Sequence, residues 1–99
     1  MKKLRFEWSP YKAKANIRSH GVSFEEAKTV FYDENAIEFY DQDHSFKENR
    51  YLMIGLSSKI RLLLVSYTVC EEKDEDIIRI ISSRKPTKKE QKTYFEKLI

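Results

Sequence analysis

Four arginines stand at or beside strand-like segments: Arg50, Arg61, Arg79 and Arg84. A guanidinium fork matches two phosphate oxygens at once, and several forks on one sheet repel one another unless an anion sits among them. Directly before the first of them, the segment Asp43-His44-Ser45-Phe46-Lys47-Glu48-Asn49-Arg50 adds an imidazole and a carboxylate. These residue types suit metal-independent cleavage of a phosphodiester with a neighbouring hydroxyl, which is the situation in RNA. A base removes the 2′-hydroxyl proton, a cation stabilises the phosphorane, and an acid protonates the departing 5′-oxygen. His44 or Glu48 fits the first role, and Arg61, Arg79 and Arg84 fit the second. His44, a lysine or an arginine fits the third. The plainer readings are a loop histidine with a local hydrogen bond and a surface salt bridge from Glu48 to Arg50.

Charge is unevenly distributed along the 99 residues, whose net charge is +3. The run Glu71-Glu72-Lys73-Asp74-Glu75-Asp76 is strongly acidic, so the rest of the chain is more cationic than the total suggests. Arg79, Arg84, Lys85, Lys88, Lys89 and Lys92 face a single acid, Glu90, over one short stretch. Lys85, Lys88 and Lys89 crowd the start of a predicted helix, where the macrodipole disfavours cations unless an anion is bound. These lysines, with Arg50, are candidate RNA contacts. His20 joins them, although its place before Gly21 at the end of a predicted helix also suits a capping role. Tyr40, Tyr51, Tyr67 and Tyr94 have rings that can stack on bases, or pack in the core.

Other chemistries lack their signatures. With only Gly21 and Gly55 there is no phosphate-cradling loop, and no nucleotide cofactor is expected. His20, His44 and Cys70 have no ligand spacing, so no metal site is expected. No serine elbow occurs. A lone cysteine cannot form an internal disulfide, which suits a reducing cytoplasm. Leu4-Arg5-Phe6-Glu7-Trp8 puts charges where a signal peptide would be apolar, and no apolar run approaches the roughly 20 residues that cross a bilayer. No membrane partner is expected.

Residues 1–99 are expected to form one domain with elements in the order β-α-α-β-β-β-β-α. Leu4, Phe6 and Trp8 alternate with charges, as in a half-buried strand. Ser9-Pro10 opens a helix over about 10–19 that Gly21 ends. Ser23 and Glu26 form a capping box for a helix over 24–32. Strands follow over 36–40, 50–56, 61–68 and 77–83, with 41–47 a polar loop and 71–76 a solvated hairpin loop. Thr87-Lys88-Lys89-Glu90 opens a terminal helix with an apolar face of Tyr94, Phe95, Leu98 and Ile99. Strands grouped in sequence, with helices at the ends, predict an α+β fold: an antiparallel sheet of four to five strands with the helices on one face.

Phe6-Glu7-Trp8-Ser9-Pro10, Lys12, Lys14, Asn16 and His20-Gly21-Val22-Ser23-Phe24-Glu25-Glu26-Ala27 resemble the opening of the BrnT family of toxins. The order and spacing continue through Val30-Phe31-Tyr32-Asp33, Asp43-His44-Ser45, Glu48-Asn49-Arg50, Ile54-Gly55-Leu56-Ser57, Arg61 and Arg79-Ile80-Ile81-Ser82-Ser83-Arg84-Lys85. Ser83, Pro86 and Ser9 depart from the residues usual in that pattern. The resemblance implies a RelE-like fold, endoribonuclease activity and a cognate antitoxin with a DNA-binding ribbon-helix-helix domain. It further implies that the antitoxin neutralises the toxin by binding it, and that the complex reaches operator DNA only through the antitoxin. The alternative is an RNA- or partner-binding module without chemistry, which would bind RNA without cutting it. A repressor acting alone would need a recognition helix, and none stands out.

Overall fold

The computed structural model describes residues 2–99. The elements are β1 (Lys3–Glu7), α1 (Pro10–His20), α2 (Phe24–Thr29), a 3-10 turn (Val30–Tyr32), β2 (Ile37–Tyr40), a second 3-10 turn (Gln42–His44), β3 (Tyr51–Leu56), β4 (Leu62–Glu71), β5 (Glu75–Arg84) and α3 (Lys88–Lys97). The strands form one sheet in the order β1-β5-β4-β3-β2. All neighbours pair antiparallel except β1 and β5, which are parallel, so the α+β sheet is mostly antiparallel with one mixed edge. Charge complementarity accompanies that parallel register: Lys2 pairs with Asp76, Arg5 with Glu75 and Arg79 with Glu7 across the seam.

Local signals place the helix starts as predicted. Ser9 Oγ accepts the Lys12 N–H, Pro10 holds the first position, and Gly21, at φ 68°, closes α1 by donating its N–H to the Ile17 carbonyl. Ser23 Oγ accepts the Glu26 N–H. Thr87 and Glu90 form a reciprocal capping box on α3. The predicted second helix is shorter in α form, because the chain tightens into the 3-10 turn after Thr29. There Thr29 Oγ1 donates to the Glu26 carbonyl, a local bond that competes with regular helix geometry. The acidic hairpin is also tighter than expected, since β4 runs to Glu71 and β5 begins at Glu75.

Side chains alternate across a strand, so β4 feeds two cores. Leu63, Val65 and Tyr67 pack with Val22, Phe24, Ala27, Val30, Ile78 and Ile80 under α1 and α2. Leu64 instead joins Ile54 and Tyr94, with Leu62 and Leu52 beside them. The expectation that the helices share one face is therefore corrected: α3 lies on the opposite side from α1 and α2. Its anchor is Tyr94, 1% exposed, whose hydroxyl donates to Asp33 Oδ2 at 2.7 Å. Asp33 Oδ2 also accepts the Leu56 N–H at 2.8 Å, which ties the sheet edge to the turn before β2. Gly55 belongs to this junction: a Cβ there would meet Val30 Cγ1 at 2.9 Å and Ala36 Cβ at 3.0 Å.

The β3–β4 hairpin turns through Ser58, Lys59 and Ile60, with the Ile60 N–H donating to the Ser57 carbonyl. Ile60 has φ 58°, a left-handed conformation that is costly for a β-branched residue, and its side chain is exposed. Ile60→Gly should therefore raise stability by about 1 kcal/mol, read as an increase in the urea midpoint at unchanged slope. An unchanged or lower midpoint would show that the left-handed turn carries no strain.

Candidate active site

The sheet face opposite α1 and α2 is covered by α3 at one end and open at the other. Which side chains reach this open part depends on β5. Tyr67 pairs with Ile80 but Ser66 pairs with Ser82, so Ile81 is an extra residue, a β-bulge. Strict alternation would put Arg79 and Arg84 on opposite faces. The bulge shifts the parity, so Ser82 and Arg84 share the face of Ser66 and Leu64, while Ser83 turns inward and is fully buried. There Ser83 donates its N–H to Asn16 Oδ1 at 3.1 Å, and its carbonyl accepts from Asn16 Nδ2 at 2.8 Å. The α1 amide thus stands in for a neighbouring strand where β1 no longer pairs.

On the open face, Arg79 lies beside Thr68. Tyr51 pairs with Tyr67, so one step further Arg50 falls beside Thr68 from the other side. Arg50 and Arg79 therefore flank one row of the sheet at about 10 Å, and Arg84 lies two rows along, about 13 Å from Arg79. Long side chains from these positions can converge on the intervening row, where Ser66 and Ser82 pair. A cleft of about 340 Å³ sits there, lined by Arg50, Arg84, Ser66 and Ser82 and walled by Asp41, Asp43 and His44.

The loop that carries His44 is held by short-range bonds. Ser45 Oγ donates to the Asp41 carbonyl at 2.6 Å and accepts the Arg50 N–H at 3.0 Å. The Asp41 N–H donates to the Arg50 carbonyl, and the Tyr40 hydroxyl donates to Asn49 Oδ1. Within this frame His44 Nδ1 lies 3.0 Å from Asp41 Oδ2. A carboxylate only accepts, so Nδ1 carries the proton and Nε2 is left as the basic nitrogen. The Asp41 side chain is 12% exposed and that of His44 is 65% exposed, an oriented ring presented to solvent.

Arg84 and Arg79 each have a carboxylate partner, and Arg50 has only a distant one. Arg84 forms a two-pronged pair with Glu90, Nη1 to Oε1 at 2.8 Å and Nη2 to Oε2 at 3.1 Å. The bonds from Arg84 hold the Glu90 carboxyl below the usual range despite burial, helped by the Thr87 N–H. Arg79 is 3.4 Å from Glu7 in an exposed contact. Glu48 stays on the exposed loop with a carboxylate oxygen 3.9 Å from Arg50 Nε, too far for a hydrogen bond. Arg50 Nε is buried and has no hydrogen-bond partner among the described residues. A buried donor without a protein acceptor is costly, so this nitrogen is available to an acceptor that enters the cleft.

The structure does not bring Arg61 to the cleft. It packs against α2, donating from Nε to Glu26 Oε2 at 2.7 Å and from Nη2 to Oε1 at 2.6 Å, with a further bond to the Gly21 carbonyl. Glu26 is 4% exposed and also accepts from Ser57 Oγ at 2.6 Å. The Arg61 bonds, reinforced by Ser57, outweigh burial and lower the Glu26 pKa. Burial also opposes ionisation of Asp33, but bonds from Leu56, Tyr94 and Asn35 win and lower its pKa. His20 lies apart too, in a shallow groove with Lys12, Ser19 and Asn16 that meets the cleft at Ile81. Lys85, Lys88 and Lys89 are exposed around the start of α3, beyond Arg84. Among the tyrosines, Tyr67 and Tyr94 are buried, each donating its hydroxyl to a carboxylate.

Sequence reasoning missed Asp41, Ser66 and Ser82. An acid three residues before a histidine in a polar loop was available as a signal for Asp41. Ser82 had none, because its face follows from the bulge, and Ser66, on the regular β4, is a buried strand serine with no local mark of a site.

The same fold occurs in a 1.1 Å crystal structure of the Brucella abortus ribonuclease toxin BrnT, with a TM-score of 0.61 and 19% identity, covering 88% of this chain and 100% of that one. The architecture is therefore that of a small α+β domain of this fold. No curated protein matches the sequence. The BrnT family pattern, the ribonuclease toxin of type II toxin-antitoxin systems, matches residues 8–90, and the chain belongs to that family. Its family-level activity is that of a ribonuclease, with RNA as substrate and an antitoxin as partner. No helix among the described residues is long and apolar enough to cross a membrane.

Arg61→Ala would leave Glu26 buried without its main partner, and should cost about 3 kcal/mol in urea unfolding at neutral pH. A loss below about 1 kcal/mol would mean that the carboxylate rehydrates freely. The folded pKa of Glu26 lies below its ordinary 4.5, so its stabilisation is complete above that value and is lost as pH falls through the lowered one. Unfolding free energies between about pH 5 and pH 3 should therefore fall less steeply in Glu26→Gln than in the wild type.

Proposed function

We propose that the protein is a metal-independent endoribonuclease that cuts RNA in this cleft, with His44 as the base. The support is the Asp41–His44 pair, which leaves the second ring nitrogen free in a cleft that Arg50 and Arg84 also line. Nε2 removes the 2′-hydroxyl proton, and the resulting oxygen attacks phosphorus to form a 2′,3′-cyclic phosphate as the 5′-oxygen leaves. Arg50, with its free Nε–H, and Arg84 stabilise the phosphorane, and Arg79 approaches from the same face. Arg84 does so by exchanging Glu90 for phosphate. The departing oxygen takes its proton from the cationic side, where Lys85 follows Arg84. Glu48 restrains Arg50 on the loop, and Arg61 acts through the fold. Lys85, Lys88 and Lys89 hold flanking phosphates, and His20 touches RNA that leaves the cleft past Ile81.

In a toxin-antitoxin setting this activity acts in the cytoplasm and inhibits translation until the antitoxin binds. The resemblance to BrnT toxins supports a ribbon-helix-helix antitoxin through which the pair reaches operator DNA.

The purified protein should cut a defined RNA in EDTA, leaving cyclic or 3′-phosphate ends. His44→Ala should lower kcat by about 100-fold or more, and Asp41→Asn and Arg84→Ala by at least about tenfold, in folded samples. RNA left intact by folded wild-type protein would remove the proposal. Salt-sensitive binding without scission would favour the non-catalytic RNA-binding alternative.

A further inference from the structure

The face that carries α1 and α2 is also incompletely covered. Beyond those helices lies a groove of about 350 Å³ over the far ends of β3, β4 and β5. Its floor is apolar and aromatic, with Leu4, Met53 and Val69 beside Tyr51 and Tyr67. The two tyrosine rings are stacked, with centroids 6.0 Å apart and planes inclined by 29°. Its rim is acidic. Glu38 accepts the Tyr67 hydroxyl, and Glu71 and Asp76 stand opposite each other across the β4–β5 ladder. Among the described residues, no lysine or arginine lines the groove. Glu71 makes no ion pair among the described residues, and Asp76 has only an exposed contact with Lys2 at 3.2 Å.

An uncovered apolar sheet face marks a contact surface, and the charge of this one selects the occupant. A polyanion such as RNA is repelled by three carboxylates. A second copy seated face to face would bring two acidic rims together. A segment that alternates apolar side chains with arginine or lysine satisfies both parts, because guanidinium groups pair with carboxylates and stack on tyrosine faces. We propose that this groove is the anchoring site for a cationic, amphipathic segment of the antitoxin, on the side of the sheet away from the RNA cleft. The inference rests on the toxin-antitoxin reading. It separates anchoring from occlusion: the partner is gripped where RNA does not bind.

The test uses the toxin chain and its purified cognate antitoxin. Glu71→Lys, at an exposed strand end, should weaken their association at least about tenfold, with Glu71→Gln intermediate. RNA cutting by the free toxin should be unchanged in both variants. Affinity within twofold of wild type for Glu71→Lys overturns the inference, as does loss of affinity in Arg84→Glu alone. A wild-type toxin dimer that Glu71→Lys dissociates also overturns it, since the groove would then hold a second copy. If Glu71→Lys releases the antitoxin but the wild-type toxin cuts no RNA, the anchoring site stands and the ribonuclease mechanism falls.

Discussion

One extra residue in β5 decides which side chains share a face. Because Ile81 has no partner on β4, the second half of the strand is rotated relative to the first, and Arg84 joins Arg79 instead of opposing it. The same shift buries Ser83, whose backbone must then find partners away from any strand. Asn16 supplies both, and a third bond from its Nδ2 to the Val22 carbonyl locks α1 to the chain that enters α2. The cleft and the packing of α1 are therefore consequences of one irregularity.

The cations illustrate how burial sorts like residues into different work. Arg61 meets a carboxylate that is almost fully buried, so its charge is committed to holding α2 and the β3–β4 hairpin together. Arg79 meets Glu7 where both are about half exposed, a contact worth about 1 kcal/mol or less and easily exchanged for phosphate. Arg84 is intermediate: its pairing with Glu90 has good geometry, but Glu90 also caps α3. Arg50 alone keeps a buried donor unmet. Four arginines that look equivalent in the sequence thus span a range from structural to available.

The two faces of the sheet also divide the charge. The acidic hairpin that lowers the net charge lies at the end remote from α3, by the aromatic groove, while Arg50, Arg79, Arg84 and the loop histidine gather on the other side. This arrangement gives one small sheet a cationic surface, proposed above to take RNA, and an acidic surface on its other side.

Much of this was legible before any coordinates. Ser9-Pro10, Gly21, Ser23, Thr87 and Glu90 mark helix ends through bonds within four residues, and the strands follow from runs of β-branched and aromatic side chains. Those signals are local, so they survive without knowledge of the fold, and the proximity of His44 to Arg50 is readable because the loop that joins them is itself local. What only the tertiary structure decided involves partners far apart in sequence. The Arg61–Glu26 pair spans 35 positions and the Tyr94–Asp33 bond 61, and neither can be chosen from residue type alone. The side taken by α3, the parallel docking of β1 and the bulge at Ile81 are likewise set by packing between elements. A strand's alternation predicts faces only while the ladder is regular, and here it changes parity midway.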